Sequence, residues 1–179
     1  MKKFIVAILI IAVLLAIFAL PSCRPMITND GEVSAAEVIE AINRALGVTA
    51  FCRGLYEMNA PQGSSRHLTP RLGVLVYQGN AEGVHELSIL ADFALFLSCD
   101  HSLYEVHAMR VYSIADREQI EKLLNRRLTL IRSREIYIFQ PNAYETRIAD
   151  AMVYSRGEWV FLLATGNNEK AIRAIRKVT

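Results

Sequence analysis

The sequence lacks the short motifs that usually identify an enzyme. It has no CxxC pair, no HExxH motif, no glycine-rich phosphate loop and no GxSxG nucleophile motif. These absences remove the sequence signatures of zinc proteases, nucleotide-binding proteins and α/β-hydrolases. Cysteine is also scarce, and the three cysteines allow one disulfide at most. Nothing in the sequence therefore indicates an enzyme, and we expect neither a catalytic residue nor a cofactor.

The chain also lacks an excess of charge once its N-terminus is set aside. Lysine and arginine together number 20 against 18 acidic residues, and residues 1–22 hold two of the lysines and no acid. The remaining chain is therefore neutral and produces no strong field for nucleic acid. We expect no nucleic-acid partner. The roughly 155 remaining residues suit one domain with one core.

A long apolar run near the N-terminus predicts export. Lys2 and Lys3 precede an uncharged stretch over residues 4–20, which is the pattern of a signal peptide. As a helix the run would span roughly 26 Å, against about 30 Å for the hydrocarbon core of a bilayer. Length alone therefore fits both a cleaved signal and a single transmembrane anchor.

The residues that end this run resemble a bacterial lipobox. Leu20 is the aliphatic residue, Ser22 the small residue and Cys23 the acceptor, whereas Pro21 departs from the usual small or hydroxylated residue. The pattern implies cleavage between Ser22 and Cys23, a diacylglycerol on the Cys23 thiol, and a fatty acid such as palmitate on the new amino group. The alternative is an uncleaved membrane helix followed by an incidental cysteine. Both place the rest of the chain at the outer face of the cell membrane.

Periodicity predicts an α+β fold after a tether over residues 23–33. The expected single domain, residues 34–179, has helices packed on one face of a mostly antiparallel sheet. Its order is an N-terminal helix, an undecided segment over residues 50–83, and then β-β-α-α-β-β-α. Within the undecided segment, Thr69 and Pro70 can start a helix, but residues 72–77 equally suit a strand. The other expected elements are a helix capped by Ser34 and ended by Gly47, strands over 87–98 and 104–112, a helix from Ser113 or Asp116 to about Arg134, a short helix over 141–149, a hairpin over 152–164, and a last helix capped by Asn167 or Asn168.

Potential ligands cluster around residues 99–107. Cys99, His101, Glu105 and His107 are types that bind zinc. On a strand Glu105 and His107 share one face, and His101 joins them only if the strand reaches back to it. Because no metal-binding spacing accompanies them, the favoured interpretation is a polar turn before a strand, with His101, Glu105 and His107 as weak metal candidates. Cys52 and Cys99 are either a disulfide, if the exported chain is oxidised, or two separate thiols.

Other charged residues are interpreted as surface. Arg126, Arg127, Arg132 and Arg134 fall in the second half of the long helix, where cations favour the helix dipole. We expect them to form a solvated face. Asp92 lies within an apolar stretch, where desolvation could raise its pKa, but a position facing solvent at a sheet edge is the commoner arrangement.

The second half of the chain resembles a known family. The segments DFALFLSCDHSLYEVHAMRVYSIADREQIEKLLNRRL and YETRIADAMVYSRGEWVFLLATGNNEKAIRAIRKV are similar to domain of unknown function 4358, a family of small lipoproteins mostly of Gram-positive bacteria. The resemblance rests on the order and spacing of elements, and Trp159 stands where tyrosine is more usual. It implies an exported, lipid-anchored module and transfers no catalytic residue or ligand.

The sequence therefore favours a lipid-anchored envelope lipoprotein with a non-enzymatic domain that binds an envelope protein or a cell-wall component. Two alternatives stay open at this point. One is an exported module that binds a small ligand, and the other is a metal-dependent enzyme centred on residues 99–107.

Overall fold

A five-stranded antiparallel sheet organises the part of the chain that the computed structural model describes, namely residues 32–48, 54–79, 84–98, 102–133, 142 and 144–179. Some predictions lie outside these residues, namely those for the N-terminal segment with Ser22 and Cys23, for Cys52 and Cys99, and for His101. Residues 33–179 form one compact unit. The elements are α1 (Ala35–Leu46), β1 (Leu55–Glu57), α2 (Pro70–Tyr77), a 3-10 turn (His85–Ile89), β2 (Leu90–Leu97), β3 (Glu105–Val111), a 3-10 turn (Ile114–Asp116), α3 (Arg117–Ile131), a π-helical turn (Tyr144–Ile148), β4 (Met152–Arg156), β5 (Trp159–Ala164) and α4 (Asn168–Val178).

The strands lie in the order β1-β2-β3-β5-β4, and every neighbouring pair is antiparallel. The predicted α+β class and antiparallel sheet are confirmed. Strand β3 is central, and its residue His107 lies opposite Leu95 of β2 and Leu162 of β5. Strands β1 and β4 form the two edges. The two-residue hairpin between β4 and β5 turns at Gly157, whose φ of 56° suits the first position of a type II′ turn.

Helices cover both faces of the sheet, so the expectation that they share one face is wrong. Met109 of β3 packs in a core with α2 and α3, whereas its neighbour Ala108 packs in a second core with α1 and α4. The reason lies in the strands, because all six residues of β5 are buried. A strand that is apolar on both faces needs cover on both.

Local signals placed most helix ends correctly. Ser34 and Glu37 form the expected capping box, and Gly47 ends α1 in the left-handed conformation with a φ of 69°. For α2 the helical alternative is confirmed, since the Thr69 hydroxyl accepts the N–H of Leu72 at 3.2 Å and Pro70 occupies the first turn. The Asn167 side chain caps α4 by accepting the N–H of Lys170.

Two predicted helices differ from the structure. Helix α3 ends at Ile131, before the expected Arg134, and Asp116 makes no capping hydrogen bond with its side chain. Ser113 instead accepts the N–H of Ala115 in the preceding 3-10 turn. The short helix expected over residues 141–149 is a π-helical turn in its described part. None of the helices in the described ranges is long and apolar enough to cross a bilayer.

Candidate functional site

Four polar side chains meet inside the core between the sheet and the layer formed by α2 and α3. Glu105 and His107 lie two residues apart on β3 and therefore share a face, as predicted. Tyr77 reaches them from the last residue of α2, and Arg127 reaches them from α3. The exposed fractions are 0% for His107, 1% for Tyr77 and 6% for Glu105. We call these four residues the polar cluster.

Hydrogen bonds connect the polar cluster into one chain. Arg127 donates from Nε to Oε1 and from Nη2 to Oε2 of Glu105, both at 2.8 Å. His107 Nε2 lies 2.7 Å from Oε1 of the same carboxylate. Because a carboxylate only accepts, Nε2 carries the proton and Nδ1 of the neutral ring is an acceptor. The Tyr77 hydroxyl therefore donates to Nδ1, at 2.5 Å.

The charges of the polar cluster follow from burial and from these bonds. Burial by itself raises the pKa of Glu105, but the hydrogen bonds from Arg127 and His107 outweigh it and lower the pKa to about 2. Burial lowers the pKa of His107 despite the nearby carboxylate, so the ring is neutral at pH 7. Burial also raises the pKa of Tyr77 well above its usual value. The cluster is thus one ion pair with two neutral partners.

This geometry makes the polar cluster a closed structural connection. Both ring nitrogens of His107 and both oxygens of Glu105 already have partners within the cluster, so neither residue offers an unused ligand atom. Within the described ranges no group of three or more acidic, histidine or cysteine residues is arranged to hold a metal ion. The cluster joins α2 and α3 to the central strand.

Sequence reasoning missed two members of the polar cluster. The expectation that Arg127 lies on a solvated face is wrong, since its side chain is only 19% exposed. A signal was present, because Arg127 lies four residues after Leu123 and therefore within the buried stripe of α3. Arg126, by contrast, pairs with Glu86 at the surface. Tyr77 lay in the undecided segment and gave no signal.

Asp92 has a structural role. Its Oδ2 accepts the N–H of Ala35 at 2.6 Å, and its Oδ1 accepts from the Asn59 side chain at 3.2 Å. The carboxylate therefore fixes the first residue of α1 to β2 and places a negative charge at the positive end of that helix.

The described residues also form an open groove of about 400 Å³ between α3 and the edge strand β4. Its floor includes Leu128 and Val153, and its polar groups come from Glu121, Asn125, Arg132 and Ser155. The Ser155 hydroxyl donates to Glu121 across the groove at 2.6 Å. We call this feature the α3–β4 groove. Unlike the polar cluster, it opens to solvent and can receive a ligand.

Comparison of the chain with protein-family models, with curated proteins and with solved structures found no match.

Proposed function

We propose that the protein is a lipid-anchored lipoprotein of the outer face of the cell membrane, and that its α+β domain is a non-enzymatic binding module. The observation that carries the proposal is the basic and apolar leader that ends in Leu20, Ser22 and Cys23. A single acyl chain gives only marginal membrane binding. A diacylglycerol and an amide-linked fatty acid on one residue make attachment permanent. The resemblance to domain of unknown function 4358 belongs to the same proposal.

Two features of the described residues support binding over catalysis. The polar cluster commits its titratable atoms to one another and is buried, so that a substrate cannot reach them. The α3–β4 groove is open to solvent and exposes mostly polar groups, which a polar or charged ligand can contact. A module of this kind holds an envelope protein or a cell-wall component near the membrane.

Intact-mass spectrometry of Cys23→Ala tests the anchor. The unaltered protein should lack residues 1–22 and carry the mass of a diacylglycerol and an additional acyl chain. Cys23→Ala should keep its leader and gain no lipid. Cys52→Ala is the matched control, because it removes a thiol elsewhere and should be processed and acylated normally. An unaltered protein that retains its leader and carries no fatty acid would contradict the proposal and indicate a transmembrane anchor.

A further inference from the structure

The edge strand β4 has backbone groups that pair with none of the other described strands. In a two-residue hairpin the residues that flank the turn, here Arg156 and Trp159, exchange backbone hydrogen bonds, and bonded pairs then alternate along the ladder. Val153 and Ser155 fall between the bonded pairs. Their N–H and C=O groups therefore point away from β5. Across the described ranges, no turn, loop or cap backbone group bonds to them.

The opposite edge of the sheet is different. Glu57 of β1 donates its N–H to the carbonyl of Arg66 at 2.7 Å and accepts the N–H of Leu68 at 3.1 Å. A bridge between Glu57 and His67 completes this cover. Among the residues that the structure describes, the chain thus covers its own short edge at β1 and places no backbone partner on the five-residue edge at β4. An exposed edge is a template for another strand.

Three arginines lie around the open edge, and the carboxylate of the groove itself, Glu121, is already paired with Arg117 at 3.2 Å. Arg132 lies in the α3–β4 groove, where its guanidinium donates to the carbonyls of Ala149 at 3.3 Å and Ala151 at 2.5 Å. These bonds use Nη2, and a further bond runs from Nε to the Ile148 carbonyl at 3.5 Å. Together they hold the cation in place at the start of β4. On the other face, Arg176 contacts the Tyr154 hydroxyl at 3.5 Å, and Arg156 ends the strand. None of these three arginines forms an ion pair with a described carboxylate.

We propose that the β4 edge and the α3–β4 groove together bind an extended acidic segment of a partner protein, which adds to the sheet as a sixth strand. The segment exchanges backbone hydrogen bonds with Val153 and Ser155. Alternate side chains enter the groove, where Arg132 receives a carboxylate. Such strand addition derives affinity from the backbone and specificity from side-chain pockets. This inference rests on the proposed binding role and names the class of partner.

Charge favours an acidic segment over a second copy of the chain. An antiparallel pair of β4 strands centred on Tyr154 would bring Val153 of one copy opposite Ser155 of the other. It would also bring the arginines of both copies toward one another, while the Glu121 carboxylate in each groove is already paired with Arg117. Like charges opposed across a strand pair are destabilising. An acidic segment removes that repulsion.

The protein variant that tests the proposal is Ser155→Pro. Proline removes an N–H that β5 does not use and places its ring on the outer edge, a position that edge strands tolerate. Ser155→Ala is the matched control, since it loses the hydroxyl bond to Glu121 but keeps the backbone N–H. The probe is a fluorescein-labelled ten-residue peptide in which valine and glutamate alternate. Binding is measured by fluorescence anisotropy with the full chain in detergent micelles, and thermal unfolding verifies that each variant is folded.

We expect Ser155→Pro to bind the valine–glutamate peptide about ten-fold more weakly or worse, and Ser155→Ala to bind within about two-fold of the unaltered protein. Two further peptides leave the protein untouched and test the same idea if the proline variant fails to fold. One replaces every glutamate by lysine, and the other has all its backbone amides methylated. Both should lose about ten-fold or more in affinity.

Three results would overturn the inference. The unaltered protein could fail to bind the valine–glutamate peptide, or it could bind the methylated peptide equally well. Sedimentation could instead show a dimer that Ser155→Pro dissociates, which would assign the edge to a second copy. Intact-mass spectrometry of the unaltered protein used in the same assay separates the two proposals. An unaltered protein that binds the peptide but carries no lipid contradicts only the anchor, whereas a lipidated protein that does not bind the peptide contradicts only the edge.

Discussion

Among the described residues, Arg127 is the cation that contacts the buried carboxylate of Glu105, and Arg127→Met removes it. The Glu105 side chain is 8% exposed, and Arg127 supplies two of its hydrogen bonds at 2.8 Å. Removing one partner of a buried ion pair typically costs about 3–5 kcal/mol, because the remaining charge stays buried without compensation. We therefore expect the free energy of unfolding to fall by about that amount, a large part of the 5–15 kcal/mol typical of a whole domain.

The lowered pKa of Glu105 acts in the same direction. The carboxyl moves from an ordinary 4.5 to about 2 in the folded protein, which favours the charged folded state at neutral pH by an amount on the order of 3 kcal/mol. Arg127 and His107 both contribute to the lowered pKa, so the loss of Arg127 removes most of this stabilisation and leaves the opposing effect of burial.

Urea denaturation followed by circular dichroism measures the loss. Arg126→Met is the matched control, because the neighbouring arginine lies on the same helix but pairs with Glu86 at the surface, and such pairs contribute about 0–1 kcal/mol. The gap between Arg127→Met and the unaltered protein should narrow as the pH falls through the pKa range of Glu105, since protonation removes the buried charge. Equal losses for the two variants at neutral pH would refute the reasoning.

Three further predictions concern the polar cluster, the cap of α1 and the close approach of Gly54 to β2. The free energy of unfolding should fall as the pH drops below about 6.5 and again below about 4.5. His107 and Glu105 both have lowered pKa values in the folded state, so the unfolded chain takes up their protons first. Chemical denaturation across pH 3–8 measures this dependence, and a flat profile would count against it. Ser34→Ala should lower stability by about 1 kcal/mol through loss of the cap on α1, with Ser34→Asp, which preserves an acceptor, as the control in thermal unfolding. Gly54→Ala should destabilise the domain by about 1–3 kcal/mol, because the new Cβ would overlap the Leu97 carbonyl oxygen of β2. An unchanged melting temperature would contradict this and show that β1 can shift away from β2.

The features that the sequence predicted correctly depend on near neighbours along the chain. The Ser34 capping box and the hairpin turn at Gly157 each involve residues no more than three positions apart. The local sequence pattern is therefore enough to determine the local backbone geometry. The undecided segment could not be assigned in this way, because residues 72–77 fit both the helical and the strand pattern. Contact with the sheet selects the helix. The apolar sequence of β5 was a signal for cover on both faces of the sheet, but which helices form each layer depends on the strand order and could not be deduced from the elements alone.

In the candidate site, too, the sequence predicted contacts between near neighbours and missed contacts between residues far apart in the chain. Glu105 and His107 were paired correctly because two residues on a strand share a face. Arg127 lies 22 positions from Glu105, and Tyr77 lies 30 positions from His107, so only the folded topology brings them together. The α3–β4 groove likewise depends on β4 being an edge strand, which the strand order reveals and the hairpin pattern does not.

The central position of β3 has a consequence for how the domain opens. This strand is paired along both sides, with β2 and β5, and has a helical layer on each face. Its amide protons should therefore exchange with deuterium only when the whole domain unfolds, whereas those of the outer groups on β4 should exchange quickly. Because Glu105 and His107 belong to β3, we expect acid to unfold the domain in one cooperative transition.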